Sequence, residues 1–172
     1  MKLIKLSILT FSLFFLTGCS DSNIEKQKKP LVKQKQVHKS SISAEDAAKM
    51  AMKKFDQYLP GILKEHDAVI DLQEAVTGDF TGDGLEDVAI YFSLAPVGGG
   101  NAIVGQGLTL YKNTGKGVKV IAGYEPDYLF SFDKISNGKI HVTKLEYSEN
   151  DGRCCPSIKT AHTLTISGNT AF

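Results

Sequence analysis

Three cysteines in 172 residues are too few to staple a fold; small disulfide scaffolds carry them far more densely. The apolar run at 6–16 is about eleven residues long, or ~16 Å of helix at 1.5 Å per residue. That is too short for a ~30 Å hydrocarbon core. No unit repeats along the chain, which excludes a propeller or solenoid built from copies. The glycine-rich stretch at 98–107 lacks the Gly-Lys-Ser/Thr ending of a phosphate cradle, and no serine stands in a nucleophile-elbow context. Overall charge is nearly absent too: 20 Lys+Arg balance 19 Asp+Glu, a net of +1. What remains is the composition of one globular domain, 42% hydrophobic and 23% charged.

The neutrality is a sum of unlike segments. Lys2 and Lys5 precede the apolar run, which is broken only by Ser7, Thr10 and Ser12. This is the layout of a signal-peptide core. Leu16-Thr17-Gly18-Cys19 follows and resembles the lipobox of bacterial lipoproteins, in which the chain is cut before the cysteine. The resemblance implies a signal peptide at 1–18, lipidation of Cys19 and a lipid-anchored protein of the cell envelope. Two or more acyl chains anchor stably where one does not. Ser20 stands where an aspartate would signal inner-membrane retention. In a Gram-negative host the resemblance therefore implies the outer membrane, facing the periplasm.

From Ser20 to Ser41 six lysines face Asp21 and Glu25, with no aromatic residue and no apolar period. Region 19–41 is expected to be a lipidated cysteine and a disordered, lysine-rich tether with a root-mean-square reach of ~25 Å. The remaining globular domain, 42–172, carries a net charge of −5. Without a basic face it is not a nucleic-acid binder.

Ser43 is placed to cap a helix, with Glu45 and Asp46 in its positive first turn and apolar residues from Ala47 to Leu59 at helical spacing. Pro60-Gly61 is expected to stop it. Alternating segments then follow around Ile70–Val76, Val88–Leu94, Leu108–Tyr111, Val118–Ala122, Tyr128–Ile135 and Lys139–Tyr147, with Ile158–Ser167 as a last strand. Asn113 to Gly117 and Asn137-Gly138 read as hairpin turns. The expected fold class is α+β: one N-terminal helix packed on a mostly antiparallel sheet of about six or seven strands.

The stretch Gly78-Asp79-Phe80-Thr81-Gly82-Asp83-Gly84-Leu85-Glu86-Asp87 lies between two expected strands. Carboxylates at Asp79, Asp83 and Asp87, the Thr81 hydroxyl and the Leu85 carbonyl can converge on one hard cation if Gly82 and Gly84 let the backbone wrap. It resembles the calcium loops of FG-GAP/VCBS-type repeats and dockerins, which implies Ca2+ as a structural ion. Thr81 departs from the usual Asn or Asp, and Ile90 stands where an EF-hand would place its bidentate Glu. The alternative is an Asp/Gly-rich turn whose carboxylates bond to backbone N–H groups with no ion.

Cys154 and Cys155 are adjacent, and with Cys19 lipidated they have only each other, so a vicinal disulfide or two quiet thiols ranks above a redox sensor. Their Cα atoms, ~3.8 Å apart, lie below the usual disulfide range. His141 and His162 share one sheet face if Tyr147 pairs with Ile158. The loops at 98–107 and 151–157 are candidate partner surfaces. The leading expectation is a non-enzymatic envelope module that binds a protein or glycan, or serves a structural role. The competing one is an envelope hydrolase using Glu125 and Asp127 beside the metal loop. Substituting Cys19→Ser is expected to release the protein from membranes into the soluble fraction; membrane association that still needs detergent to break would refute lipidation at this residue.

Overall fold

Ser43 starts helix α1 (Ala44–Glu65): its hydroxyl accepts the Asp46 N–H at 3.1 Å, with Glu45 and Asp46 in the first turn. The helix does not stop at Pro60-Gly61 as the sequence suggests; it runs on to Glu65, with His66 as its C-cap. Interior proline costs about 3 kcal/mol. Here the turn beyond it places Ile62 and Leu63 beside Leu59 against the sheet, and that burial offsets the lost bond. Asp67, at φ 48, then turns the chain away.

The computed structural model describes residues 41–100, 102–152 and 155–172, all within the unit His38–Phe172. The expectations for Cys19, the lipobox, the tether before Ser41 and Cys154 lie outside the described residues. Among the described residues no helix is long and apolar enough to cross a membrane.

After α1 come β1 (Ala68–Gly78), β2 (Asp87–Pro96), β3 (Gly105–Asn113), β4 (Val118–Tyr124), β5 (Leu129–Ser136), β6 (Lys139–Glu146), β7 (Ile158–Thr163), β8 (Ile166–Ser167) and β9 (Thr170–Ala171). They form two sheets, one of six strands in the order β1-β2-β3-β4-β9-β8 and one of three, β5-β6-β7. All pairs are antiparallel except β4 with β9. The α+β class with a helix on a mostly antiparallel sheet is thus what the chain adopts, and the second sheet is what the sequence did not announce.

The hairpins form where turn chemistry places them. Asn137 and Gly138 take φ 53 and 70, as a two-residue turn of primed type requires. Gly115 takes φ 79, its N–H held by Asn113 Oδ1 at 2.9 Å. The expected last strand, however, divides. Leu164 still donates to the Ile140 carbonyl at 2.9 Å, and beyond it the chain crosses to the larger sheet, where Thr165 and Phe172 exchange bonds.

Two apolar layers hold these parts together. Ala47, Ala51 and Phe55 of α1 pack on Val88, Ile90, Phe92, Leu94 and Tyr111. On the opposite face Ala89, Leu108, Leu110 and Ala122 pack on Phe130, Ile140 and Val142 of the smaller sheet. β2 is consequently covered on both sides, which is why Asp87–Pro96 reads as a nearly continuous apolar run rather than an alternation.

The elements also have two ends. Ile42 N–H bonds to the Gly115 carbonyl at 3.1 Å, so the chain enters the domain beside the β3–β4 turn and the 79–86 loop. α1 then runs ~33 Å to His66, which packs by the start of β3. The described residues of 97–100, 102–104, 125–128, 147–152 and 155–157 lie toward this second end, since they follow β2, β4 and β6, which run toward it.

Candidate functional site

The aspartate loop closes on itself. Asp79 Oδ1 accepts the Gly82 and Asp83 N–H groups at 2.6 and 3.2 Å, and its Oδ2 accepts Gly84 N–H at 2.8 Å. Gly82 and Gly84 hold φ 74 and 83, which supplies the wrap. Asp83 accepts Leu85 N–H at 3.0 Å and pairs with Lys112 Nζ at 2.8 Å. The Lys112 ammonium, with the Leu85 N–H, holds the Asp83 carboxyl below its usual value, and the same bond raises Lys112. Asp87 is fully buried; its Oδ2 accepts Phe80 and Thr81 N–H at 3.2 and 2.9 Å, and Oδ1 accepts Asn113 N–H at 2.9 Å.

These residues match calcium in donor chemistry, since every side-chain donor is a hard oxygen. Thr81 Oγ1 is buried with no hydrogen bond of good geometry, an acceptor that a cation could use. Against that, the three carboxylates are turned toward N–H groups. Among the described residues no group of three or more His, Cys, Asp or Glu side chains is arranged to hold a metal ion. An ion here would take oxygens from Asp79, Asp83, Thr81 and the Leu85 carbonyl, and would share Asp87 with three N–H donors.

Other sequence candidates are separated. Glu146, not Tyr147, pairs with Ile158, and His141 pairs with Thr163 while His162 pairs with Val142. That register puts the two histidines on opposite faces, so they form no metal pair. His141 is instead held by Thr163 Oγ1 at 3.2 Å. Cys155 is disulfide-bonded; Cys154 is outside the described residues. Glu125 and Asp127 do not lie beside the aspartate loop. They follow β4 at the end away from it, because β4 begins near Asn113 and leads off from that turn.

At that second end the surface opens into a cleft of about 380 Å³ lined by His66, Phe92, Gln106, Glu125, Asp127 and Tyr128, among others. Glycines make room for it. A Cβ on Gly107 would stand 2.8 Å from Glu125 Cγ and 2.9 Å from Phe92 Cζ, and one on Gly105 would stand 3.3 Å from His66 Nδ1. Gln106 between them is 8% exposed and turns to the opposite face, where Nε2 donates to the Phe130 carbonyl at 2.7 Å. A second hollow of about 400 Å³ lies across the same 125–128 segment, lined by Tyr124, His162 and Phe172. Tyr128 stands between the two, its hydroxyl 2.8 Å from that of Tyr124 and its ring 4.6 Å from Lys144 Nζ. The sequence named the glycine loop and the two carboxylates separately; that they share a cleft depends on the β3–β4 register, which pairs Leu108 with Tyr124.

No family model, curated protein or solved structure matches this chain.

The cysteine loop at the same end is drawn in by Asp151, whose Oδ2 accepts Ser148 and Ser157 N–H at 2.8 and 2.7 Å. These bonds lower its pKa from 3.8 to about 2. A carboxyl depressed on folding stabilises above its unfolded value and loses that effect as pH falls through the folded one. The Ser148 and Ser157 amides are therefore expected to stay protected from hydrogen exchange above pH ~4 and to lose protection toward pH 2, while Asp151→Asn loses it at pH 5. Equal protection in the variant would show that Asp151 does not hold the loop.

Proposed function

We propose that this protein is a lipid-anchored module of a bacterial cell envelope that binds a partner or ligand at the end of its domain opposite the one that Ile42 enters, without catalysing a reaction. The observation that carries this is the position of the cleft. The chain enters the domain beside the β3–β4 turn, and the cleft lies at the far end of α1, next to His66. Ile103 and Val104, from the glycine-rich stretch that the sequence offers as a partner surface, line it.

Binding is favoured over hydrolysis by how the carboxylates are held. General acid/base pairs need orientation by neighbouring groups. Glu125 and Asp127 are both exposed, and among the described residues neither makes a hydrogen bond or ion pair. They give the cleft a negative rim rather than a fixed acid/base pair. The test is cross-linking in native membranes followed by purification of the lipidated protein. Ile103→Arg, an exposed substitution at the cleft mouth, is expected to abolish the cross-linked product while leaving membrane fraction and melting temperature unchanged. An unchanged product would remove the cleft from the interaction, and reducing ends released from envelope glycan by the wild type but not by Glu125→Gln would establish the hydrolase instead.

The buried Thr81 Oγ1 favours a second element of the proposal, one calcium ion in the 79–87 loop as a structural staple near the tether. Lys112 is its internal competitor at Asp83. Millimolar calcium added after chelation is expected to raise the melting temperature, and Lys112→Gln to enlarge that rise. Superimposable melting curves for both proteins would show that the N–H bonds and Lys112 close the loop unaided.

A further inference from the structure

The larger sheet ends on a long strand. β1 runs over 11 residues at one edge of that sheet, whereas the opposite edge is the two-residue β8. β2 takes the backbone groups on one side of β1, and alternate N–H and C=O groups point the other way. Among the described residues no backbone bond reaches that outer side. Native sheets blunt such an edge with bulges, charges or short strands, because an open one is a template for another chain. Here the blunting is partial. The register shift between Ile70 and Leu72 interrupts the first part of β1, but Leu72 to Gly78 keeps unbroken register with Ser93 to Asp87 of β2. A regular stretch of that length is long enough to template a strand.

The side chains along this stretch restrict what such a strand carries. Gln73, Ala75 and Thr77 alternate onto the face of α1, where Gln73 Nε2 is committed to Asp56 at 2.9 Å and Ala75 packs beneath the helix. Leu72, Glu74 and Val76 alternate onto the other face. Leu72 is 42% exposed and Val76 is half-buried. Glu74 between them is exposed, with no hydrogen bond or ion pair among the described residues. Ile135 of β5 closes on the same face at Gly78, where a Cβ would stand 2.6 Å from its Cγ2. The row therefore reads apolar, acidic, apolar. β1 as a whole carries Asp71 and Glu74 but no lysine or arginine. Two copies of β1 set antiparallel about Ala75 would bring their Glu74 side chains diagonally together, which disfavours pairing of the strand with itself.

From these features we infer that the outer edge of β1, from Leu72 to Gly78, accepts an extended segment of a partner protein as an added strand, and that this segment carries a lysine or arginine flanked at alternate positions by apolar residues. Its backbone bonds to the outward groups of β1. Its basic side chain lies beside Glu74, and its apolar ones lie beside Leu72 and Val76. The edge shares no lining residue with the cleft, so this surface does not depend on the cleft's role.

The test uses the full lipidated chain in non-ionic detergent with three capped peptides: Thr-Val-Thr-Lys-Thr-Val-Thr, the same peptide with glutamate in place of lysine, and the same with proline there. The pattern reads identically in both directions, so parallel and antiparallel addition are both covered. Hydrogen exchange of the β1 amides is the readout. The lysine peptide is expected to slow alternate amides between Leu72 and Gly78 saturably. The glutamate peptide is expected to bind roughly fivefold more weakly, and the proline peptide to be silent. Glu74→Lys, an exposed substitution, is expected to reverse the order of the first two. Unchanged exchange with the lysine peptide, equal affinity for lysine and glutamate peptides, or a Glu74→Lys variant that keeps the wild-type order would overturn the inference. Slow exchange of the outward amides before any peptide is added would overturn it too, since the chain itself or a second copy would then hold the edge.

Discussion

The carboxylate of Asp87 is the interaction on which the rest of the domain is built. It is fully buried and accepts three N–H groups, from Phe80, Thr81 and Asn113. Two lie in the loop between β1 and β2, and the third closes β3 before its turn. One side chain thereby ties two hairpins that are not adjacent in sequence. Asn113 completes the link by donating Nδ2 to the Glu86 carbonyl at 3.1 Å and accepting Gly115 N–H. Charge-assisted bonds of this kind are roughly twice as strong as neutral ones. With the 79–86 loop fixed, Phe80 is directed into the core between the two sheets, where an irregular loop would otherwise leave it in water.

That anchoring settles the division of labour between the ends. At the end that Ile42 enters, the carboxylates of Asp79, Asp83 and Asp87 all have partners, N–H groups or Lys112, so their negative charge is structural. At the other end Glu125 and Asp127 have none among the described residues, while glycines at 105 and 107 remove the side chains that would fill the space between them and Phe92. Both glycines sit inside β3, where a strand gains nothing from glycine and loses packing. Their presence is explained by the close approach of Glu125, Phe92 and His66, with gaps near 3 Å for any added Cβ.

Much of the architecture was legible in the sequence because it rests on local chemistry. The Ser43 cap, the Asn113 to Gly117 turn and the Asn137-Gly138 turn are each decided within five residues, and the structure places each where its residues predict. The failures are non-local. Pro60 reads as a helix stop until the sheet beneath Ile62 and Leu63 is known. Ile70 and Leu72 alternate like core residues, yet both are exposed, because β1 is an edge strand and a register shift lies between them. The histidine pair depended on pairing β6 with β7 one residue out of the observed register, and a slip of one inverts every face. The second sheet was invisible for a related reason: nothing local in β5, β6 and β7 distinguishes joining the first sheet from folding over it. The candidate site was legible as ingredients only, since two carboxylates and a glycine loop separated by some twenty residues become neighbours through one strand pairing.

The same contrast separates the two acidic regions chemically. A carboxylate already bonded to several N–H groups has little left to offer a ligand, and recruiting it means breaking bonds that hold the hairpins together. An unheld carboxylate beside a glycine floor carries no such penalty, and a ligand that desolvates it must supply a compensating charge. The aspartate loop is the more conspicuous motif in the sequence, with three aspartates and two glycines in nine residues. Its chemistry is largely used up in closing the fold, whereas the less conspicuous pair at the opposite end of the helix, Glu125 and Asp127, is left without hydrogen bonds or ion pairs among the described residues.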